Sequence, residues 1–435
     1  MSRTHCPVVI LGAGLTGMSA AIHLKKAGVP YRIFERQPHA GGHATTYVDD
    51  GYRFDKTGHL MHLRDPEIRE LVMKWVGADS VTVNRKSVIW THGRYTRYPF
   101  QANTYGLPPE VAYECLMGFI KAQQTAASAA PKNFEEFCIA HFGEGISKHF
   151  MIPYNARLWG VHPSEITADW CQRFVPMPKM EDVVAGAVGM NDRELGYNTS
   201  FLYPRLGIGE LPKAMAKELP EIEYERGPKS VNLAKKELYF DGGEVLSYDT
   251  LITTAPLKAF CEHIDDAPDA VRTATSQLRC NSLQYLDVAA RVPSGTEHHW
   301  VYVPEAKYPM YRLGCYSHFS SAMAPDGGSC FYVELADRSK PDLDKVVPEV
   351  AAAMVEMGIL TSADDIAFVK ARSIEHAYVV FDHHYFGALE VITPYLKQNQ
   401  VVSAGRYGGW NYSSMEDALI FGRNAANEAQ KNLQK

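Results

Sequence analysis

No run of about 18 uninterrupted apolar residues occurs in this 435-residue chain, so the sequence offers no membrane-spanning helix. It also lacks an excess of positive charge. Forty-four Lys and Arg stand against 50 Asp and Glu, a net charge of −6. That balance excludes a general electrostatic pull toward nucleic acid or anionic lipid, while leaving room for a local basic pocket that holds a phosphate. The eight Cys, at 6, 115, 138, 171, 261, 280, 315 and 330, form no C-x-x-C pair. Scattered in this way they read as reduced thiols of a cytoplasmic protein, not as a zinc site, an iron–sulfur site or a disulfide framework. The 17 His include the pairs 298–299 and 383–384. Adjacent residues on a strand point to opposite faces and neither pair shows helical i,i+4 spacing, so no metal site is expected. There is no nucleophile elbow, internal repeat or low-complexity linker. The amino terminus turns apolar at once, but the run passes through glycines into a helical pattern, so no secretory leader is expected.

What is present is a chain with 46% hydrophobic and 11% aromatic residues, enough to bury one large core or two linked ones. Residues 7–11, PVVIL, form a short continuous apolar run suited to a buried parallel strand. GAGLTGMSAAIHLKKAG then turns helical, and VPYRIFE supplies a second strand. In this βαβ unit Gly12 allows a tight turn, Gly14 lets the backbone approach a pyrophosphate, and Gly17 lets helix and strand pack closely. Glu35 ends the second strand, where a carboxylate accepts from a ribose hydroxyl, and the helix amino terminus adds oriented N–H donors. The unit therefore predicts dinucleotide binding. The next paired glycines, Gly41 and Gly42, resemble the E-x-x-x-x-x-G-G element of two-domain FAD proteins of the glutathione-reductase and amine-oxidase type, which favours FAD over NAD as the resident cofactor.

Further along, residues 66–77 and 108–126 carry helical apolar spacing, and 131–190 is consistent with a mainly helical insertion. Residues 200–260 return to alternation: a glycine-rich turn feeding a helix, then a hairpin followed by a strand that returns to the first sheet. Residues 280–292, 299–303 and 329–336 read as strands, 345–357 as a helix, and the final segment as strand, glycine turn and helix. The expected fold is α/β: a discontinuous Rossmann-like FAD-binding domain of 1–65, 200–265 and 390–435, a mainly helical substrate or lid domain of 66–199, and an antiparallel-sheet substrate domain of 266–389.

Several dispersed segments resemble the UDP-galactopyranose mutase family, above all its longer eukaryotic-type members, over nearly the whole chain. They are TGHLMH at 57–62, YPFQANTYGLP at 98–108, PYNARLWGV at 153–161, YPRLGIGEL at 203–211, Trp300 to Arg312, AYVVFD at 377–382 and GRYGGWNY at 405–412. The resemblance implies an isomerase that interconverts six- and five-membered ring forms of a nucleotide-diphosphate sugar, UDP-galactose-like, on reduced FAD. NAD(P)H is the implied external reductant, and a bond from flavin N5 to the anomeric carbon the implied route. It implies that His59 lies in the loop beside the isoalloxazine, and that Arg173 and Arg312 grip the substrate diphosphate. Tyr378 and Tyr412 would donate to the same phosphates, Trp300 and Tyr302 line the sugar or diphosphate, and Tyr98, Phe100, Gln101 and Asn155 face the nucleotide. Arg36, Gly405, Arg406 and Met415 join the glycines as cofactor-binding positions, with Arg406 over the FAD pyrophosphate. A homodimer or homotetramer is compatible with the family.

Elementary chemistry agrees with that assignment. A diphosphate suits Arg better than Lys, because a planar fork of donors makes paired, charge-assisted bonds, and tyrosines add donors without adding charge. The competing function is a net-redox FAD oxidase or dehydrogenase acting on an amine, a polyene or a nucleotide sugar. Arg173 and Arg312 also have a simpler role open to them, pairing with carboxylates at a domain junction. Three positions depart from the family pattern: Thr57-Gly58 stands where paired glycines are usual, Tyr378-Val379 replaces tyrosine–proline, and Arg173 is one residue out of register relative to Trp170. The first predicts a backbone beside the flavin that is less free to flip.

Overall fold

The computed structural model describes residues 3–124, 130–171, 175–190 and 200–434. Arg3–Leu11 forms the opening strand, with Val8, Val9 and Ile10 all at 0% exposure. Burial on both faces is why this stretch is continuously apolar, and each such side chain contributes about 1.5–3 kcal/mol of transfer free energy. The strand pairs in parallel with Tyr31–Phe34, Val8 opposite Tyr31 and Leu11 opposite Phe34, across the helix Leu15–Lys26. Its other edge pairs in parallel with Val245–Thr253. That strand also receives Val401–Ser403 in parallel, and Glu237–Tyr239 followed by Ser230–Asn232 as antiparallel edge strands. A six-stranded sheet is therefore built from three separate stretches of the chain, a discontinuous Rossmann-like fold. The carboxyl-terminal helix Met415–Leu433 closes it by packing on Leu15–Lys26.

One detail differs from the sequence expectation. The segment 237–253 is not a hairpin followed by a third strand, because the second arm of the hairpin, Val245–Thr253, is itself the strand that returns to the opening one. Its nine residues are long enough to pair with a short edge strand on one side and with the buried parallel strand on the other.

The second sheet has seven strands in the order Ile366–Val379, Cys280–Ala290, Ser329–Leu335, Met310–Cys315, Trp300–Tyr302, Ser87–Thr91 and Arg94–Arg97. The last two lie inside the stretch 66–199, whose periodicity suggested mainly helix. They extend the second sheet because Trp300–Tyr302 accepts Ser87–Thr91 in parallel, a long-range pairing invisible to local periodicity. Helices Pro109–Gln124, Phe134–Ile146 and Ile152–Trp159 stand beside this edge, the last preceded by a π-helical turn over Ser147–Met151. A two-stranded hairpin, Thr46–Asp49 with Tyr52–Asp55, connects the two sheets. Asp55, fully buried, fixes it there by accepting from Thr46 Oγ1 at 2.6 Å, Tyr203 Oη at 2.5 Å and the Ile208 amide at 3.0 Å. The segment YPRLGIGEL is thus a clamp on the strand that leads to His59.

Candidate functional site

The first half of the site is a backbone cradle. Gly12 takes φ +100° and donates its amide to Phe34 O at 2.8 Å, a turn no L side chain enters without strain. A Cβ on Gly17 would lie 1.9 Å from Gly12 O, so the helix can start this close to the turn only as glycine. At Gly14, which caps that helix, a Cβ would meet nothing within 4 Å. The chain thus leaves open space in front of the helix amino terminus, where an anionic group is favoured. Glu35 accepts from the Ala13 amide through Oε2 and from the Gln37 amide through Oε1, both at 2.8 Å. Gly41 donates to Ala13 O at 2.9 Å, which brings Gly41 and Gly42 against Gly14. Arg36 is exposed beside them.

From the far end of the chain, Gly405 at φ +89° packs so closely that a Cβ would lie 2.8 Å from Thr16 Oγ1. Met415 is buried at the start of the last helix. The side-chain atoms Asn411 Oδ1 and Ser413 Oγ are buried without partners, as expected of a surface that receives a polar group. Together with the glycine cradle these residues fit FAD.

Arg406 donates through Nη1 to Ser413 O at 2.7 Å, and its guanidinium carbon stands 4.6 Å from the Tyr412 ring centroid and 5.6 Å from that of Tyr378. The two tyrosine rings stack at 6.1 Å with 27° between planes. On the other side Arg312 donates through Nη2 to Tyr378 Oη at 2.8 Å, and through Nε and Nη2 to both oxygens of the fully buried Glu334, at 2.9 and 2.7 Å. Tyr378 is pushed up to about 12 by burial, so its hydroxyl remains a donor. Trp159, also fully buried, sets its ring edge-on to Tyr378 at 5.8 Å and to Tyr412 at 6.0 Å, with its indole Nε1 unpartnered.

His59 faces this group. Its Nδ1 lies 3.3 Å from Thr57 O, and burial, with smaller contributions from Arg406, Lys56 and Arg312, lowers its pKa to about 4. The ring is therefore neutral near pH 7. Thr57 adopts φ +68°, a left-handed conformation that is rare for a β-branched residue and costs about 1–2 kcal/mol. The replacement of glycine here does not remove the turn. It makes the turn strained.

Beyond these residues, Tyr98 and Tyr302 lie 5.0 Å apart, and Arg85 sits over Tyr98 and Trp300 at 5.2 and 5.5 Å. Arg85 Nη2 donates to Tyr302 Oη at 2.8 Å and Nε to Ser87 Oγ at 2.7 Å. Trp300 spends its indole N–H on Tyr332 Oη. Phe100 is fully buried and stacks on Phe150 at 5.1 Å, so it backs the wall and does not line it. Gln101 Nε2 donates to Pro176 O and Asn155 Nδ2 to Met151 O, both at 2.7 Å. Arg173 lies outside the described residues.

Three residues here escaped the sequence reading: Arg85, Trp159 and Glu334. Only Glu334 had a usable signal, as the one acid in the apolar strand SCFYVEL, where a charge implies a buried partner. Lys56, Arg85 and Arg406 have no carboxylate ion-pair partner among the described residues, so the site presents positive charge inward. Among those residues no cluster of His, Cys, Asp and Glu could hold a metal ion, and no helix is long and apolar enough to cross a membrane.

The model of the flavin containing amine oxidoreductase family matches residues 15–430. A "Probable UDP-galactopyranose mutase" of Klebsiella pneumoniae is 26% identical over 180 residues, 38% of this chain and 44% of that protein, so the match spans less than half of the relative's length. A phytoene desaturase (lycopene-forming) of Pantoea ananas is 41% identical, but over 49 residues only, 11% of this chain and 10% of that one. Among solved structures, reduced UDP-galactopyranose mutase superposes with a TM-score of 0.92 at 24% identity, covering 98% of this chain and 94% of that one. Putrescine oxidase bound to putrescine superposes with a TM-score of 0.68 at 14% identity, covering 99% of this chain and 100% of that one.

Proposed function

Because the chain belongs to the flavin containing amine oxidoreductase family and is a flavin-dependent enzyme, we propose that it interconverts pyranose and furanose forms of a nucleotide-diphosphate sugar, UDP-galactose-like, on reduced FAD. The observation that carries this reading is the tyrosine pair Tyr378 and Tyr412 held between two arginines, Arg312 bonded to one hydroxyl and Arg406 laid over both rings. The Arg312 guanidinium with two phenol hydroxyls beside it suits a substrate diphosphate, while Arg406 on the other side of the rings supplies a separate cation for the cofactor.

In this reading the glycine cradle, Glu35 and Arg406 hold FAD, whose reduced form supplies a nucleophile for the anomeric carbon without net redox change. NAD(P)H fits as the external reductant. The protein's own part is position and charge. Arg312, Tyr378 and Tyr412 orient the diphosphate and stabilise it as it leaves. A nucleoside diphosphate departs as a stable anion, so no strong acid is needed beside it, which agrees with a neutral His59. His59 then serves as a hydrogen-bonding neighbour of the cofactor. Arg85 and the aromatic wall of Tyr98, Trp300 and Tyr302 form the adjoining subsite for the rest of the nucleotide sugar. Held by the same arginine, the departed diphosphate remains in place to recapture the ring-altered sugar before water does.

The test incubates dithionite-reduced enzyme with UDP-galactopyranose and follows the anomeric proton by NMR. Furanose product formed while the flavin stays reduced supports the reading. Flavin oxidation or reduction in step with substrate, or turnover by the oxidised enzyme alone, overturns it in favour of a net-redox reaction.

A further inference from the structure

The helices beside the second sheet are tied to it by a relay outside the site. Glu114 lies on the helix Pro109–Gln124, His149 in the π-helical turn Ser147–Met151, and His92 at the tight turn between Ser87–Thr91 and Arg94–Arg97. His149 Nε2 is 2.8 Å from Glu114 Oε2, and its Nδ1 is 3.2 Å from His92 Nε2. The His149 side chain is 10% exposed, so water does not substitute freely for either contact. The other charged groups facing the relay are Lys148, whose Nζ donates to both oxygens of Glu114 at 2.8 and 3.2 Å, and Glu305, whose Oε1 accepts from the His92 amide at 3.1 Å. Lys307 Nζ stands 3.9 Å from Glu305 Oε2. Hydrogen bonds from Lys148 and His149 hold the Glu114 carboxyl down at about 2, so it stays ionised.

The proton count of this chain is constrained. A carboxylate only accepts, so His149 Nε2 carries a hydrogen. Between His149 Nδ1 and His92 Nε2, one nitrogen donates and the other offers a lone pair. That contact forms when both rings are neutral and also when one of them is protonated. With both protonated, two N–H groups and two cations face each other and the contact breaks.

His149 stands directly before the helix Ile152–Trp159, which carries Tyr154, Asn155 and Trp159 to the site. Tyr154 sets its ring edge-on to Tyr302 at 5.4 Å, and Trp159 reaches Tyr378 and Tyr412. The helix runs on directly from that π-helical turn and is itself tied to the second sheet farther along, where Arg157 Nη2 donates to Tyr308 O and Met310 O at 2.7 and 2.6 Å and Asn281 Nδ2 to Trp159 O at 2.8 Å, so the relay acts on the turn that feeds the helix. We propose that Glu114, His149 and His92 are positioning residues that latch the turn Ser147–Met151, and through it the start of the helix Ile152–Trp159, to the edge of the second sheet, and that a second proton on the histidine pair releases that turn. The consequence for substrate rests on the functional reading above; the latch itself does not.

The test is amide hydrogen exchange of residues 147–159 in the FAD-loaded enzyme, corrected for intrinsic rates, at about pH 8 and about pH 5, the span over which histidines change charge. Acidification is expected to speed exchange there about five- to tenfold, the net effect of one lost hydrogen bond. His149→Ala should exchange fast at both pH values. In His92→Gln the amide donates its N–H₂ to a neutral His149 Nδ1 or, turned over, accepts through its oxygen from a protonated one, so protection should persist at both. An unchanged pH response in His92→Gln, or none in the wild type, overturns the latch. UDP binding measured in parallel separates the two ideas: exchange that follows the scheme while UDP affinity does not move supports the latch and removes this helix from the substrate pocket.

Discussion

Arg312 grips both oxygens of Glu334 through Nε and Nη2, and the same Nη2 reaches Tyr378 Oη, which leaves Nη1 as its one nitrogen without a partner among the described residues. A buried acid thus orients an arginine so that one edge of its fork remains available to a ligand. Losing the acid would strand the cation. Glu334→Gln should destabilise the protein by about 3–5 kcal/mol, since it leaves one member of a buried pair uncompensated, readable in urea unfolding. Arg312→Ala should leave FAD bound yet weaken UDP by about 2–5 kcal/mol, measured by fluorescence displacement. Unchanged UDP affinity would remove Arg312 from phosphate binding.

Gly14 and Gly17 make a second, sharper pair. A Cβ at Gly17 meets Gly12 O at 1.9 Å, backbone against backbone, whereas a Cβ at Gly14 meets nothing within 4 Å. Gly17→Ala should therefore damage folding itself, with low yield and an early thermal transition. Gly14→Val should fold, because its side chain enters empty space, and on the proposed reading should purify colourless, because the cofactor would need that space. Retained absorbance near 450 nm in Gly14→Val would show that FAD does not approach this turn.

Arg85 is open to a kinetic test. Its guanidinium fills a slot between Tyr98 and Trp300 and bonds Tyr302 Oη, contacts worth about 0.5–2 kcal/mol each when desolvated. Arg85→Lys keeps the charge but loses the planar stack and the second hydrogen bond. It should raise KM for the nucleotide sugar several-fold with little change in kcat. A fall in kcat with KM unchanged would mean that Arg85 acts on the reacting atoms instead.

These cases show which parts of the molecule the chain's local pattern carries. The glycine turn was legible because its requirements are backbone ones: Gly12 needs a positive φ and Gly17 a missing Cβ, and both follow from a few adjacent residues. Of the aromatic slot, Tyr98, Trp300 and Tyr302 were named only through the family resemblance and Arg85 not at all, since Arg85 and Tyr302 meet across 217 positions of sequence through the parallel pairing of Ser87–Thr91 with Trp300–Tyr302. No periodicity within either strand encodes its partner. Thr57 stands between these extremes. The substitution is visible in the sequence, but that the turn persists at φ +68° is a tertiary outcome, imposed by the clamp around Asp55 two residues earlier.

His59 supplies a test of the electrostatics through pH. Its ordinary value of 6.5 falls to about 4 in the folded protein, first through burial and then through the nearby cations. The unfolded chain therefore binds a proton on this residue below about pH 6.5 that the folded chain refuses until about pH 4. In that window unfolding takes up the proton, so this residue's contribution to stability is fully present above 6.5 and is lost as pH falls toward 4. His62 and His299, also lowered to about 4 by burial, act in the same direction. Asp55 and Asp287 act oppositely: burial raises them to about 6 and about 7, so their contributions are lost as pH rises. Because these opposing groups share one window, the wild-type profile alone does not isolate His59, and the informative quantity is the difference between wild type and His59→Gln. The variant removes only the His59 proton, so its stability, from urea unfolding at a series of pH values, should decline less steeply than that of the wild type between pH 6.5 and 4. Parallel declines would mean that His59 titrates alike in the folded and unfolded chain, which would remove the burial and the nearby cations of Arg406 and Arg312 as influences on its ring.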